Sequence, residues 1–193
     1  MEYMATVPDK YFDLCVCDPP YGIGINPNMG LKKGQKKRHK SISWDDYAPD
    51  DRYFVELFRV SENQIIWGGN YFQLPPTKHF IFWDKMNAEG MSFSDGEMAW
   101  TSFNKAIRKF TFRNIFDGKI HPTQKPVQLY KWLLKNYAKP EFKLLDTHGG
   151  SMSSVIAAYD FGISEMVCCE IDKEYFEAGK KRFEIHKMQQ KLF

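Results

Sequence analysis

Long apolar runs are missing from this 193-residue sequence, whose uninterrupted hydrophobic stretches extend over only a few residues. A helix that crosses a bilayer needs about 20 consecutive apolar residues, so the sequence predicts no membrane span. The first ten residues, MEYMATVPDK, also lack the basic and then apolar order of a secretory signal peptide. We therefore expect a cytoplasmic protein with no membrane partner.

Cysteine is scarce and is confined to two close pairs, Cys15 with Cys17 and Cys168 with Cys169. Neither pair has the usual spacing of zinc ligands, and both pairs lie in apolar, strand-like runs. Buried free thiols in a reducing compartment are the favoured interpretation, and no metal site is predicted.

Acidic residues are absent from one strongly basic segment. The net charge is +3, yet residues 32–40, KKGQKKRHK, hold six Lys and Arg side chains, so the rest of the chain sums to 3 − 6 = −3. The segment has no apolar periodicity, and we predict a mobile loop over about residues 22–44. Its charge either is simply solvated or contacts the phosphates of a nucleic acid.

The remaining composition is that of a folded protein, with 43% hydrophobic and 16% aromatic residues. Its length suits a single α/β domain with a sizeable core. An apolar run that ends at Asp18 predicts a strand, and so do the runs that begin at Asn63, His79 and Glu97. Residues 104–120 are predicted to form a hairpin or an insertion. From Pro126 onward the pattern is helix, strand, helix, strand, helix, which predicts βαβ units and a parallel sheet.

Three predicted strands end in an acidic residue, namely Asp18, Asp146 and Glu170. Parallel sheets bind ligands at the carboxyl ends of their strands, although any one acid there can instead cap the next helix. After Asp146 comes THGGS, whose glycines allow close backbone approach to a ligand. Glu170 follows Asp146 by 24 residues (170 − 146), a separation that suits an acid on a ribose diol and equally an ordinary strand-to-helix turn.

The tetrapeptide Asp18-Pro19-Pro20-Tyr21 is the most informative motif. Each proline has a fixed φ and no amide hydrogen, so the segment is stiff and its carbonyls stay outside local helical bonding. The Asp18 carboxylate and a proline carbonyl can then act as two acceptors for a single NH₂ group, and Tyr21 offers a flat face to a base. A strand-ending turn is the alternative interpretation.

These motifs resemble those of S-adenosylmethionine-dependent DNA amino-methyltransferases of the permuted β class. The resemblance rests on Asp-Pro-Pro-Tyr-Gly, on His-Pro-Thr-Gln-Lys-Pro beginning 103 residues later (121 − 18), and on the glycine turn after Asp146. It spans about residues 12–183. It implies a Rossmann-like fold with a mostly parallel, doubly wound sheet, helices on both faces, a circularly permuted motif order and one domain over residues 1–193.

The resemblance also implies roles for individual residues. Asp18, Pro19, Pro20 and Tyr21 would be catalytic, holding and stacking on an extruded base. The cofactor would contact Cys17, Asp18, His121, Pro122, Thr123, Lys125, Asp146, His148, Gly149, Gly150, Ser151 and Glu170. Duplex DNA would contact Lys32, Lys33, Lys36, Lys37, Arg38, Lys40, Arg108, Lys109 and Arg113.

The sequence departs from the family pattern at three places. Met152 stands where relatives carry a second glycine, so a bulky side chain is expected beside the cofactor, and His148 replaces an aromatic residue, as a packing substitute. Relatives often carry an acid just upstream of the segment that matches MEYMATVPD, and this sequence, which begins at Met1, lacks it. The target-recognition element is reduced to about residues 101–120, which suggests a short site or recognition shared with a homodimer partner or a separate subunit.

The leading hypothesis is therefore a DNA adenine N6-methyltransferase of the kind found in restriction–modification systems. Aspartate in the first position of the tetrapeptide goes with adenine in this family, whereas serine goes with N4 of cytosine. A cytosine N4-methyltransferase and a non-catalytic, methyltransferase-like DNA-binding subunit are the alternatives, and Met152 favours the latter.

Overall fold

The computed structural model describes residues 1–24, 45–87, 94–113 and 119–189, and these residues form one sheet and five helices. The strands are β1 (Phe12–Cys17), β2 (Ser61–Trp67), β3 (Phe80–Asp84), β4 (Gly96–Thr101), β5 (Arg108–Thr111), β6 (Lys143–Asp146) and β7 (Glu165–Cys168). The helices are α1 (Glu2–Ala5), α2 (Asp51–Val60), α3 (Val127–Tyr137), α4 (Ser153–Phe161) and α5 (Lys173–Met188).

The sheet has the order β5-β3-β4-β2-β1-β6-β7. The run from β2 to β7 is parallel throughout, and β5 is parallel to β3, whereas β4 is antiparallel to both of its neighbours. The predicted fold class, a mostly parallel α/β sheet of Rossmann-like form, is confirmed. The antiparallel strand β4 inside the sheet is a feature that the sequence pattern did not reveal.

Two hydrophobic clusters cover the two faces of the sheet. The last four residues of β1 alternate between them, with Leu14 and Val16 in one cluster and Cys15 and Cys17 in the other. The first cluster takes its helical residues from α3 and α4, and the second takes them from α1 and α2. This period-two alternation is what a sheet buried on both sides requires.

Of residues 104–120, expected to be a hairpin or an insertion, the structure describes 104–113 and 119–120. Their described part contains the single strand β5, which lies parallel to β3 with Ile81 opposite Arg108. A parallel neighbour cannot be joined by a tight turn, and here β4 and its following loop separate the two strands in the chain. Thr101, expected at the start of a recognition element, belongs instead to β4 and is fully buried.

The sheet order brings the three strand-end acids to one edge, because β1, β6 and β7 are parallel neighbours. Glu170 lies two residues beyond the end of β7 at Cys168 rather than at the strand end itself. Within the described ranges no helix is both long and apolar enough to cross a membrane.

Candidate active site

Two cavities meet at the carboxyl ends of the central strands. The larger has a volume of about 800 Å³ and the smaller about 300 Å³. Their shared walls are Asp18, Pro20, Thr123 and Lys125. The two motifs that the sequence analysis placed in one site are thus side by side.

The Asp18 carboxylate accepts a hydrogen bond on each oxygen. Oδ1 accepts from the Tyr21 hydroxyl at 2.7 Å, and Oδ2 accepts from the Lys125 ammonium at 2.5 Å. Beyond the prolines, the buried Asp45 carboxylate accepts from the backbone amides of Tyr21 at 2.8 Å and Gly22 at 3.3 Å. The tetrapeptide is therefore fixed at both ends, by Lys125 and by Asp45.

The Tyr21 ring already has an aromatic neighbour. Tyr71 stacks on it with ring centroids 4.9 Å apart and an interplanar angle of 13°, and the Tyr71 side chain is half exposed. Gly68 has φ +70°, and a Cβ there would lie 2.1 Å from the Tyr21 ring, so only glycine fits. The base-stacking role of Tyr21 stays a prediction, and Tyr71 belongs to the same aromatic surface.

A chain of alternating charges runs through the wall of the larger cavity. Lys125 Nζ lies 2.5 Å from Asp18 Oδ2 and 2.8 Å from Glu97 Oε2, and Lys85 Nζ lies 2.6 Å from Glu97 Oε1. The Lys125 side chain is only 3% exposed, so its ammonium has left water and needs both carboxylates. Lys125 lines both cavities, and its contact with the cofactor stays a prediction.

The pKa values in this chain reflect burial opposed by neighbouring charges. Burial raises the pKa of Asp18, although the nearby Lys125 ammonium partly lowers it. Burial would also raise the pKa of Glu97, but Lys125 and Lys85 outweigh it and bring that pKa to about 2. Burial lowers the pKa of Lys125, and the Asp18 and Glu97 carboxylates more than reverse this, so it stays charged.

The Asp146 carboxylate holds the glycine turn in place through two hydrogen bonds. It accepts from the His148 amide at 3.0 Å and from the Ser154 hydroxyl at 2.5 Å. Burial raises the Asp146 pKa to about 6 in spite of these bonds. The turn also lies tightly against β7, since a Cβ on Gly149 would be 2.4 Å from Cys168 Sγ.

Glu170 closes the far side of the turn. Its carboxylate accepts from the Gly150 amide at 2.7 Å and from the Asp172 amide at 2.8 Å. Gly150 also has φ +49°, a left-handed conformation that favours glycine. Each carboxylate oxygen retains a second lone pair for a ligand in the smaller cavity, which Glu170 lines.

His148 is held by a short chain of hydroxyl groups. The Tyr53 hydroxyl lies 2.6 Å from Thr147 Oγ1, which lies 2.9 Å from His148 Nδ1. Burial lowers the His148 pKa to about 4, so the imidazole is neutral at pH 7. His148 lines the smaller cavity and packs edge-on against the Tyr53 ring, and its role as a packing substitute stays a prediction.

Met152 does not enter the smaller cavity, contrary to the expectation that it would lie beside the cofactor. Its backbone has φ +56°, and its buried side chain packs on α5, where a Cβ added to Gly179 would lie 2.8 Å from Met152 Cγ. The left-handed backbone directs the side chain under the turn. The Met152 side chain therefore gives no steric argument against cofactor binding.

Most residues assigned to the cofactor line the smaller cavity. They are Asp18, His121, Thr123, Lys125, His148, Gly149, Gly150, Ser151 and Glu170. Of the described residues assigned to it, Cys17, Pro122 and Asp146 line neither cavity. Cys17 is wholly buried within β1, and Asp146 acts on the turn rather than on a ligand directly.

Among the residues assigned to DNA, Arg108, Lys109 and Arg113 are exposed at and just after the edge strand β5. Lys109 is partly neutralised by Asp84, 3.2 Å away. The others, Lys32, Lys33, Lys36, Lys37, Arg38 and Lys40, lie outside the described residues, and their contact with DNA stays a prediction.

Sequence reasoning missed several residues of the cleft, namely Asp45, Tyr71, Lys85 and Glu97. No local pattern marks them, because each reaches the site through sheet order or through a loop. The sequence shows a lysine directly after β3 and a glutamate at the start of β4. These two residues can be recognised as neighbours only when the antiparallel pairing of β3 and β4 is known.

Comparison with known proteins gives a consistent picture. Residues 80–181, from β3 into α5, match the family model described as DNA methylase (N6_N4_Mtase). Type II methyltransferase M2.DpnII of Streptococcus pneumoniae is 26% identical over 167 residues, which cover 85% of this chain and 56% of that protein. The chain thus spans little more than half the length of this relative.

Two solved structures share the fold. The complex of M1.HpyAVI with SAM superposes with a TM-score of 0.62 at 18% identity, covering 94% of this chain and 91% of the other. PvuII DNA methyltransferase, described as cytosine-N4-specific, gives a TM-score of 0.61 at 12% identity, covering 98% and 84%. At these identities the likeness concerns the fold.

Proposed function

The chain belongs to the DNA methylase family, and from that premise we propose that it transfers a methyl group from S-adenosylmethionine to the exocyclic amino group of adenine in DNA. The observation that carries the proposal is the junction of the two cavities at Asp18. One cavity offers a glycine turn and an acid for a nucleoside cofactor, and the other offers a carboxylate and aromatic rings for a base.

The residues of the smaller cavity fit the cofactor. Glu170 offers carboxylate lone pairs to ribose hydroxyls, and Gly149 and Gly150 line the cavity without side chains that would occupy it. The neutral His148 imidazole places no positive charge opposite a sulfonium. Bound S-adenosylmethionine would supply a methyl group on positively charged sulfur, transferred as the S–CH₃ bond breaks and an N–CH₃ bond forms.

The residues of this chain orient the amino group for that transfer. The exocyclic nitrogen is a poor nucleophile because its lone pair is delocalised into the ring. Hydrogen bonds from its N–H groups to Asp18 and to a proline carbonyl favour a pyramidal nitrogen with a localised lone pair. Asp18 also stabilises the positive charge that develops on nitrogen and accepts the proton that leaves it.

The base must leave the duplex to reach Asp18, which costs a few kcal/mol. Tyr21 and Tyr71 form an aromatic surface in the larger cavity on which an extruded base could stack. Double-stranded DNA is the proposed partner, with contacts from Arg108 and Arg113 and from the basic segment 32–40. One methyltransferase domain over residues 1–193, a cytoplasmic location and a homodimer or a separate recognition subunit remain parts of this proposal.

Aspartate at position 18 supports adenine over cytosine, and the likeness to the PvuII enzyme keeps N4 of cytosine as the second candidate. The test is transfer of a tritiated methyl group to duplex DNA, followed by identification of the methylated nucleoside. We expect N6-methyladenine, and Asp18→Ala should lower the rate by about 10²–10⁴-fold. Turnover unchanged by Asp18→Ala would contradict the assigned role.

A further inference from the structure

Glu97 occupies an unusual place beside the proposed site. Its two carboxylate oxygens contact two different lysines, Lys125 at 2.8 Å and Lys85 at 2.6 Å. All three side chains are largely buried, with exposed fractions of 23%, 3% and 13%. Three buried charges in contact are costly to desolvate unless their geometry is well matched, so the arrangement calls for an explanation.

The backbone is built to hold Glu97 there. Glu97 lies opposite Trp83 in the antiparallel pairing of β3 and β4, and the Lys85 amide donates to the Asp95 carbonyl at 2.9 Å, which extends that pairing. A Cβ on Gly96 would lie 2.4 Å from both the Phe82 ring and the Trp83 carbonyl. Only glycine lets β4 approach β3 this closely, one residue before Glu97.

The position of Lys125 affects the charge that Asp18 can offer to the substrate, and Glu97 moderates this effect. Lys125 lies 2.5 Å from Asp18, and a lysine paired with Asp18 alone would cancel the negative charge that the substrate amino group needs. Because Glu97 also contacts this ammonium, the positive charge of Lys125 is shared between two carboxylates instead of acting on Asp18 alone. Lys85 contacts the other oxygen of Glu97 at 2.6 Å, so the four groups together carry no net charge.

We propose that Glu97 is a positioning residue for the transfer reaction: it shares the Lys125 ammonium, so that Asp18 stays correctly placed and electrostatically available to the substrate amino group. This inference rests on the proposed function. Glu97 acts through Lys125 and needs no contact with the substrate.

The first test is the kinetics of Glu97→Gln, which keeps the size of the side chain and removes its charge. We expect kcat to fall by about 10–100-fold, while KM for duplex DNA and Kd for S-adenosylmethionine change by less than about threefold, because the lost interaction matters in the transition state. Glu97→Asp, which keeps the charge on a shorter side chain, should recover part of the rate. A folded Glu97→Gln protein with kcat within twofold of the original would overturn the proposal.

The matched control is Glu56→Gln. Glu56 also pairs with a basic partner, Arg59 at 2.8 Å, and its exposed fraction of 24% is close to that of Glu97. It lies on α2, outside both cavities. Kinetic losses of equal size in both variants would show a general effect of losing a buried ion pair and would overturn the specific role.

The second test does not depend on activity. In ¹³C-labelled protein, the Asp18 carboxyl signal is identified by its loss in Asp18→Asn and then titrated. The groups facing Asp18 from the surrounding elements are Lys125, Glu97, Tyr21, Tyr130 and Asp146. The negative charge of Glu97 raises the Asp18 pKa, so Glu97→Gln should lower it, and Glu56→Gln should leave it unchanged.

The two tests separate this inference from the proposed function. If the original protein transfers no methyl group, the proposed function fails, and the titration still decides whether Glu97 controls Asp18. An Asp18 pKa that is the same with and without the charge of Glu97 would overturn the inference whatever the activity.

Discussion

At the scale of single residues, the pair of Met152 and Gly179 shows how an unfavourable side chain is accommodated. A left-handed backbone costs a residue with a Cβ roughly 1–2 kcal/mol, and Met152 has φ +56°. Its side chain is nevertheless buried against α5 because position 179 lacks a Cβ. A glycine inside helix α5 is thus explained by a partner on a different helix.

We predict that Gly179→Ala destabilises the fold by about 1–3 kcal/mol through overpacking against Met152, in spite of the gain of about 1 kcal/mol in helix propensity. In a Met152→Ala background the same change should cost at least about 1 kcal/mol less. Urea unfolding of the original protein, the two single variants and the double variant measures this coupling. Additive effects would show that the two side chains do not interact.

At the scale of elements, the edge strand β5 carries the described basic residues assigned to DNA. Arg108 is exposed on β5, and Arg113 is exposed two residues after the strand ends at Thr111. Behind them, Phe110 packs on Trp132 of α3 with ring centroids 5.4 Å apart. The strand therefore presents charge to solvent from a rigid support, which suits contact with phosphates.

We expect the double change Arg108→Gln with Arg113→Gln to weaken duplex binding and to make the plot of log K against log salt concentration shallower by about two. Each lost phosphate contact accounts for about one unit of slope. Lys180→Gln with Lys181→Gln removes the same charge from an exposed part of α5 and serves as control. Equal slopes for the two double variants would remove β5 from the DNA-binding surface.

At the scale of the whole molecule, one buried acid beside the proposed site, Asp146, reduces the stability of the fold at neutral pH. Burial raises the Asp146 pKa from 3.8 to about 6, so the folded protein favours the neutral acid. That contribution is complete below about pH 4 and is lost as the pH rises to about 6. A shift of about two units corresponds to roughly 3 kcal/mol.

We predict that Asp146→Asn raises Tm at pH 7.5 by roughly 5–10 °C in the cofactor-free protein, with little difference at pH 4. The amide keeps one acceptor oxygen for the His148 amide. Asp160→Asn is the control with opposite sign, because His186 and Lys131 outweigh burial and lower the Asp160 pKa. The measurement is thermal unfolding of the original protein and of each variant between pH 4 and pH 7.5. A Tm difference between Asp146→Asn and the original protein that does not depend on pH would contradict the prediction.

Local pattern was sufficient for much of the fold and for part of the site. The apolar runs predicted β1, β2, β3, β4, β6 and β7, because each strand contains a local run of apolar residues. The motif around Asp18 and the turn after Asp146 lie together as expected from parallel strands.

Tertiary geometry accounts for what the sequence did not reveal. Glu97 reaches Lys125 only because β4 is inserted between β3 and β2, which no periodicity indicates. The direction of the Met152 side chain depends on a backbone dihedral, and the pairing of β5 with β3 depends on an edge left open by the rest of the sheet.

The wide separation of the cleft residues in the chain has a consequence for biosynthesis. Asp18 comes near the beginning and Tyr175 near the end, yet both line the smaller cavity. The second edge of β1 pairs with β6, so this edge stays unpaired until β6, from Lys143 onward, has been synthesised. A chain still on the ribosome therefore lacks a complete smaller cavity until the residues through Tyr175 have emerged.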